Sequence, residues 1–399
     1  MTDCIEVNPE WIIWSRKSLN YTIESASKKL KIKESTLEKW EETGILTYKN
    51  INKLANVYDV SPLLFLNNTP PPKIEQYIKD YRTMNDKRIL SSPEILKEIK
   101  HAKRKRQLLL DIAEKLDKDL TFPYYLNKKE SKKTLVDIIK DSLDVNADKL
   151  NNYTIDQWIR EFEKLNILIF KFYNIKSEDI KGYAFNNQQL PIIGINNRNT
   201  EKEKIFSLFN EYAHLLIGKD GISGDYNREK EEQFCNSVAS EILLPEKEIK
   251  NIRISNVNSV IRIVSARYNA NLETILYRLK NLKILTDEEL EKQLIKRVYK
   301  PEDNQEESVE ETTIKQEDDN APKVHQKKKR NKTQQKYRSM ASKNLNQNGY
   351  LYVELLLEAY DENIINDLDL SNELGLPHTA IPYVIDKIYG GRRGWMQNT

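Results

Sequence analysis

Thirteen residues, Phe206 to Gly218 (FSLFNEYAHLLIG), constrain this 399-residue chain more than any other stretch. Nearly every position is apolar, and a helix that is apolar almost all round is a buried helix. Yet Ser207, Asn210, Glu211 and His214 fall at i, i+3, i+4 and i+7, which is one face. A carboxylate and an imidazole inside a core must be paired or bound, because an isolated buried charge costs several kcal/mol. The fold must therefore build either a closed polar network or a site around this stripe.

Both outcomes have a chemical form. In the network, Glu211 accepts a hydrogen bond from His214 or from a neighbouring element. In the site, the stripe is a variant of HExxH, which sets two imidazoles on one zinc ion with the Glu between them as general base. The pattern here is NExxH, with Asn210 at the first ligand position, Glu211 as base and His214 as ligand. A third ligand would come from the following helix, EEQFCNSVASEILLP. There Glu232 and Asn236 form a polar i,i+4 pair beside a core face carrying Phe234, Cys235, Val238, Ala239, Ile242 and Leu243. Cys235 reads as packing.

The rest of the chain predicts a mainly α (α+β) protein. Residues 1–68 hold short amphipathic segments, and TIESASKKLKIKESTLEKWEETG has two helices across a tight turn, the helix-turn-helix unit. NNTPPP then stops helical structure. Residues 73–299 form a second domain, mostly helical, with strand candidates at 167–173, KGYAFNN and LPIIGIN. Pro191 opens the last of these as an edge strand tolerates. Residues 300–347 are poor in apolar side chains, acidic first and then basic (KKKRNKTQQKYR), and predict a disordered linker. Residues 348–391 regain helical periodicity as a small C-terminal module. Trp11, Trp14, Trp40 and Trp158 sit at core positions, and Trp395 lies in the tail.

Two cysteines give no disulfide framework, and no long apolar run predicts a membrane span; both suit a cytoplasmic protein. Sixty-four Lys and Arg against 61 Asp and Glu imply no polyanionic partner by net charge alone.

From Asp80 to Glu246 the chain resembles the ImmA/IrrE family of metallopeptidases. DYRTM, FEKLNILIF, KGYAFNNQQLPIIGIN, IFSLFNEYAHLLIGKDGIS and EEQFCNSVASEILLP occur in the family's order. The amino-terminal module resembles the Cro/C1-type (XRE) helix-turn-helix often fused ahead of such peptidases. The resemblance implies a zincin-like domain with a small sheet, zinc held by His214 and Glu232, and Glu211 as general base. It also implies a regulator that cuts a repressor- or antitoxin-like protein, in a mobile element or a toxin–antitoxin pair. The departure is Asn210, a neutral amide where the family has His, which predicts weakened or lost zinc. The alternative is an inactive peptidase scaffold that binds DNA or protein.

For operator DNA, the second helix of the unit offers Lys33, Ser35, Thr36, Glu38 and Lys39, with Arg16 reaching a phosphate from the first helix. Glu34, Glu38, Glu41 and Glu42 oppose phosphate and suit a protein partner equally well. On the peptidase reading, the strand Leu190–Asn196 aligns an extended substrate by strand addition.

Overall fold

The computed structural model describes residues 4–73, 92–124, 131–173, 175–176, 180–217, 225–252, 256–299 and 322–390. DYRTM, Trp395, the tail and residues 300–321 of the expected linker lie outside them.

Helices α1 (Pro9–Ser18), α2 (Ile23–Leu30), α3 (Glu34–Thr43) and α4 (Tyr48–Tyr58), with a 3-10 turn at Pro62–Leu66, make the amino-terminal bundle. Asn8, Thr22 and Thr47 side chains cap α1, α2 and α4, satisfying amides that a helix start leaves open. Gly44 ends α3 at φ +66°, where a Cβ would overlap the Val7 carbonyl. A two-stranded ribbon, β1 (Cys4–Glu6) with β2 (Ile45–Thr47), closes the bundle antiparallel. Trp11, Trp14 and Trp40 are buried, as their spacing predicts.

Helix α5 (Pro93–Lys115) follows, then α6 (Lys132–Ser142), α7 (Ala147–Asn152) and α8 (Ile155–Glu163). The sheet has β3 (Leu168–Phe172), β4 (Gly182–Phe185) and β5 (Ile192–Asn196) in the order β3-β5-β4, with β3 parallel and β4 antiparallel to β5. All three strands match the sequence reading, but β5 is central, not an edge. Pro191 precedes its first ladder residue, so the missing N–H does not matter.

The sheet divides two cores because side chains alternate between its faces. Leu168, Phe170, Phe172, Tyr183, Phe185 and Ile192 join the bundle, α5 and the C-terminal helices. Ile169, Ile193 and Ile195 join α9 (Glu201–Ile217), α10 (Asp225–Leu243) and the helices after them. Those are α11 (Glu246–Lys250), α12 (Val257–Arg267), α13 (Leu272–Asn281) and α14 (Asp287–Tyr299).

The expected linker differs from the structure in its second half. Helix α15 spans Pro322–Asn348, and its last turns pack: Ala341 and Leu345 are in the core. Its asparagines find partners that composition does not reveal. Asn344 donates to the Leu374 carbonyl, while Asn346 and Asn348 accept from Lys171 and Lys105, all at 2.5 Å. Helices α16 (Tyr350–Asp361), α17 (Asp367–Leu374) and α18 (Ile381–Tyr389) complete the chain.

Helix α5 is the spine between the parts, and its basic run is spent on internal contacts. Lys97 and Lys100 donate to the Val57 and Asp59 carbonyls of the bundle. Arg106 holds the Gln189 and Leu190 carbonyls before β5, and Arg104 forks onto Glu373 of α17. Half-buried Lys105 lies over the Phe170 and Tyr352 rings, and desolvation lowers its pKa to about 8.

Candidate functional site

Helix α9 lies across the inner face of the sheet, so its stripe meets β4 on one side and α10 on the other. Ser207, Asn210 and Glu211 are 3, 7 and 9% exposed, so the stripe is buried as its position on the wheel requires. Glu211 lies against the β4 backbone: a Cβ on Gly182 would sit 2.9 Å from its Oε1, so a side chain there would push on the Glu211 carboxylate.

His214 is one turn further along. Its Nε2 is 3.0 Å from Glu232 Oε2, and its Nδ1 is 3.4 Å from Glu231 Oε1. The other Glu232 oxygen accepts from Asn210 Nδ2 at 3.4 Å and from Asn236 Nδ2 at 3.1 Å. Burial alone would lower the His214 pKa, but hydrogen bonds with Cys235, Glu231 and Glu232 outweigh it and carry the imidazole well above its ordinary value. Glu232 is raised by burial, yet His214, Asn210 and Asn236 bring it below the usual carboxylate range. Burial pushes the Cys235 thiol up. The network thus pairs an imidazole with a carboxylate, and two amides donate to the carboxylate's other oxygen.

Of the four residues the sequence singled out, the structure brings Asn210, His214 and Glu232 together, while Glu211, on the same helix, lies against Gly182 of β4. The donors do not match a peptidase zinc site. Such a site needs three strong N or O ligands and an open position. Here one imidazole and one carboxylate bond each other, and Asn210 turns its NH2 group, not its oxygen, toward Glu232. No group of three His, Cys, Asp or Glu suited to a metal exists among the described residues. His101 and His378 bond Asp59 and Asp367 instead. One feature runs the other way: Asn210 Oδ1 is buried without a partner.

Strands β3 and β4 are the two edges of the sheet, and β4 is the one beside α9. Asn196 N donates to Lys181 O, so Lys181, Tyr183 and Phe185 face β5, and Gly182 and Ala184 turn their N–H and C=O groups outward. Among the described residues no strand pairs with that side. The expected substrate edge at Leu190–Asn196 is corrected accordingly.

In the amino-terminal bundle, Lys33, Ser35, Glu38 and Lys39 are exposed on α3, Thr36 is half-buried, and Leu37 and Trp40 face the core. Arg16 is not a phosphate contact. It is 7% exposed, forks onto Glu41 at 2.6 and 2.8 Å, and donates to the Tyr21 carbonyl. Its position on α1, facing α3, takes it inward.

Helices α2 and α3 across a tight turn make a helix-turn-helix, and in the following domain the buried helix α9 packs on a small mixed sheet. Family comparison gives the same division. Residues 12–65 match the helix-turn-helix model, and residues 162–280 match the model described as the IrrE N-terminal-like domain. The chain carries an XRE-type helix-turn-helix and an ImmA/IrrE-like peptidase domain. No curated protein and no solved structure matches it. No described helix is long and apolar enough to cross a membrane.

Three participants escaped the sequence: Glu231, Cys235 as a partner of His214, and Gly182 beneath Glu211. Cys235 and Glu231 immediately flank the Glu232–Phe234 stretch on α10, so proximity to a proposed ligand was their only signal. Gly182 had none.

Proposed function

We propose that this chain is an intracellular regulator whose helix-turn-helix engages operator DNA, and whose peptidase-type domain docks a repressor- or antitoxin-like protein without cutting it. One observation carries the reading. The groups that would converge on a metal are bonded to one another, with both Glu232 oxygens held by His214 and by Asn210 and Asn236. An amide in place of the first imidazole removes the strongest neutral ligand and supplies a donor that locks the carboxylate. The free side of β4 gives a docking segment a ladder of N–H and C=O groups.

A second reading, a working metal-dependent peptidase, is favoured by Asn210 Oδ1, a buried acceptor with no partner. Turning that amide would put its oxygen beside Glu232, and a cation between the two oxygens would bridge them. Metal content of the purified protein separates the two. Binding alone predicts no zinc in the wild type, stoichiometric zinc in Asn210→His, and loss again when His214→Ala is added. Stoichiometric zinc in the wild type, lost in His214→Ala, would sink the binding-only reading.

A further inference from the structure

Helix α15 carries nine Lys or Arg and no Asp or Glu in its 27 residues, Pro322–Asn348. The basic run of α5 is used up inside the fold, and that of α15 is not. Lys336, Arg338 and Lys343 are exposed, and no acidic side chain pairs with them among the described residues.

The helix sorts its residues by face. Ala341, Leu345 and Asn348 are buried on the side that packs the helix on β3, α16 and α18. Lys329, Lys332, Lys336 and Lys343 stand at i, i+3, i+7 and i+14, which is the opposite side. At 1.5 Å per residue this stripe runs for about 21 Å. Like charges at i and i+4, such as Lys328 with Lys332 and Lys332 with Lys336, destabilise a helix that holds no acid to offset them. A polyanion laid along the stripe replaces that repulsion with attraction.

The rest of the helix says which polyanion fits. A membrane surface takes a basic helix through an apolar face, and a protein groove takes apolar anchors at i, i+3, i+4 and i+7. From Lys323 to Lys336 the one apolar residue is Val324. Nucleic-acid phosphates need no apolar anchor, and about 21 Å of duplex carries about twelve of them, more than four lysines can neutralise. Ala341 and Leu345 also belong to the same continuous core as Leu37 and Trp40 of α3.

We infer that the lysine stripe of α15 is a second DNA contact, holding backbone phosphates of a duplex without reading base sequence. The choice of a duplex rests on the operator binding proposed for α3, whereas the charge and the bare face of the stripe do not.

The test is fluorescence anisotropy of a random-sequence duplex of about 30 base pairs, titrated with the full-length chain from about 50 to 300 mM salt. The variants are K329Q/K332Q/K336Q/K343Q, the same four positions changed to Arg, and K33A/K39A. Circular dichroism and thermal melting check that each is folded. The Gln variant should bind about tenfold or more weakly and lower the slope of log affinity against log salt by about three to four. The Arg variant should restore both, which a merely structural role would not do. A Gln variant with wild-type affinity and slope overturns the stripe; if K33A/K39A then lowers the slope, operator binding by α3 still stands. An effect in the Gln variant alone upholds the stripe and removes α3. A wild type that holds no duplex at the lowest salt overturns both contacts. Tighter binding of a single strand of the same length overturns the choice of a duplex. Binding to vesicles with roughly one-third phosphatidylserine, lost in the Gln variant while the duplex is ignored, overturns the inference in favour of a membrane surface.

Discussion

Replacing Glu163 with Gln should make the protein more stable above neutral pH, although it removes a potential charge from the start of a helix. Glu163 closes α8, is 7% exposed, and accepts from the Tyr350 amide at 2.8 Å where α16 begins. Two effects compete. The α16 dipole favours the ionised carboxylate by about 0.3–1 kcal/mol, and at most about 2. Burial disfavours it and wins despite the amides of Leu351 and Tyr350, moving the pKa from 4.5 to about 8. The folded pKa is raised, so the stability Glu163 contributes is full below about pH 4.5 and is lost as pH rises to about 8. At about 1.4 kcal/mol per pH unit the loss has a ceiling near 5 kcal/mol, and about 2–4 is expected once the site relaxes. The Gln amide mimics the protonated acid and keeps an acceptor for Tyr350. Urea unfolding of both proteins from pH 5 to 9 should give matching stabilities at pH 5 and a Gln advantage that grows to pH 8 and then levels. Hydrogen exchange at Tyr350 and Leu351 should follow the same trend. Parallel curves, or a Gln variant that is weaker at pH 8, would refute the reasoning and show an ionised cap.

Further outcomes follow from other contacts. Arg16→Ala strands Glu41 and should cost about 3–5 kcal/mol in urea unfolding; a near-neutral result would contradict the buried pair. If operator DNA binds, Lys33→Ala and Lys39→Ala should each reduce the slope of log affinity against log salt by about one, measured by fluorescence anisotropy. A slope unchanged in both would remove α3 from the DNA interface. Gly349→Ala should destabilise by about 2 kcal/mol or more in thermal melts, because its φ is +76° and a Cβ would overlap Glu163 Oε1 and the Ile169 carbonyl.

The stripe on α9 was legible because burial and polarity conflict within one helix, and a conflict is visible without coordinates. The three strands were legible from β-branched runs, but their order was not, since Pro191 suits an edge and a strand entry equally. Arg16 failed for a related reason: a charge near a recognition helix reads as exposed, and only the packing of α1 on α3 turns it onto Glu41. Residues 333–347 misled because Asn344 and Asn346 look solvated in composition, while their partners, Leu374 and Lys171, are distant in sequence.

The spine carries a cost in time. Arg104 meets Glu373 across 269 residues, and Glu163 meets Tyr350 across 187. At about 5–20 residues per second, a ribosome needs roughly 10–40 s to deliver the helix that Glu163 caps. During that interval α5 and the outer face of β3 are made but uncovered, with Phe170 and the apolar stripe of the spine open to solvent. The nascent chain thus spends its longest wait exposing the surface that its last helices exist to cover, a window in which holding chaperones would find their substrate.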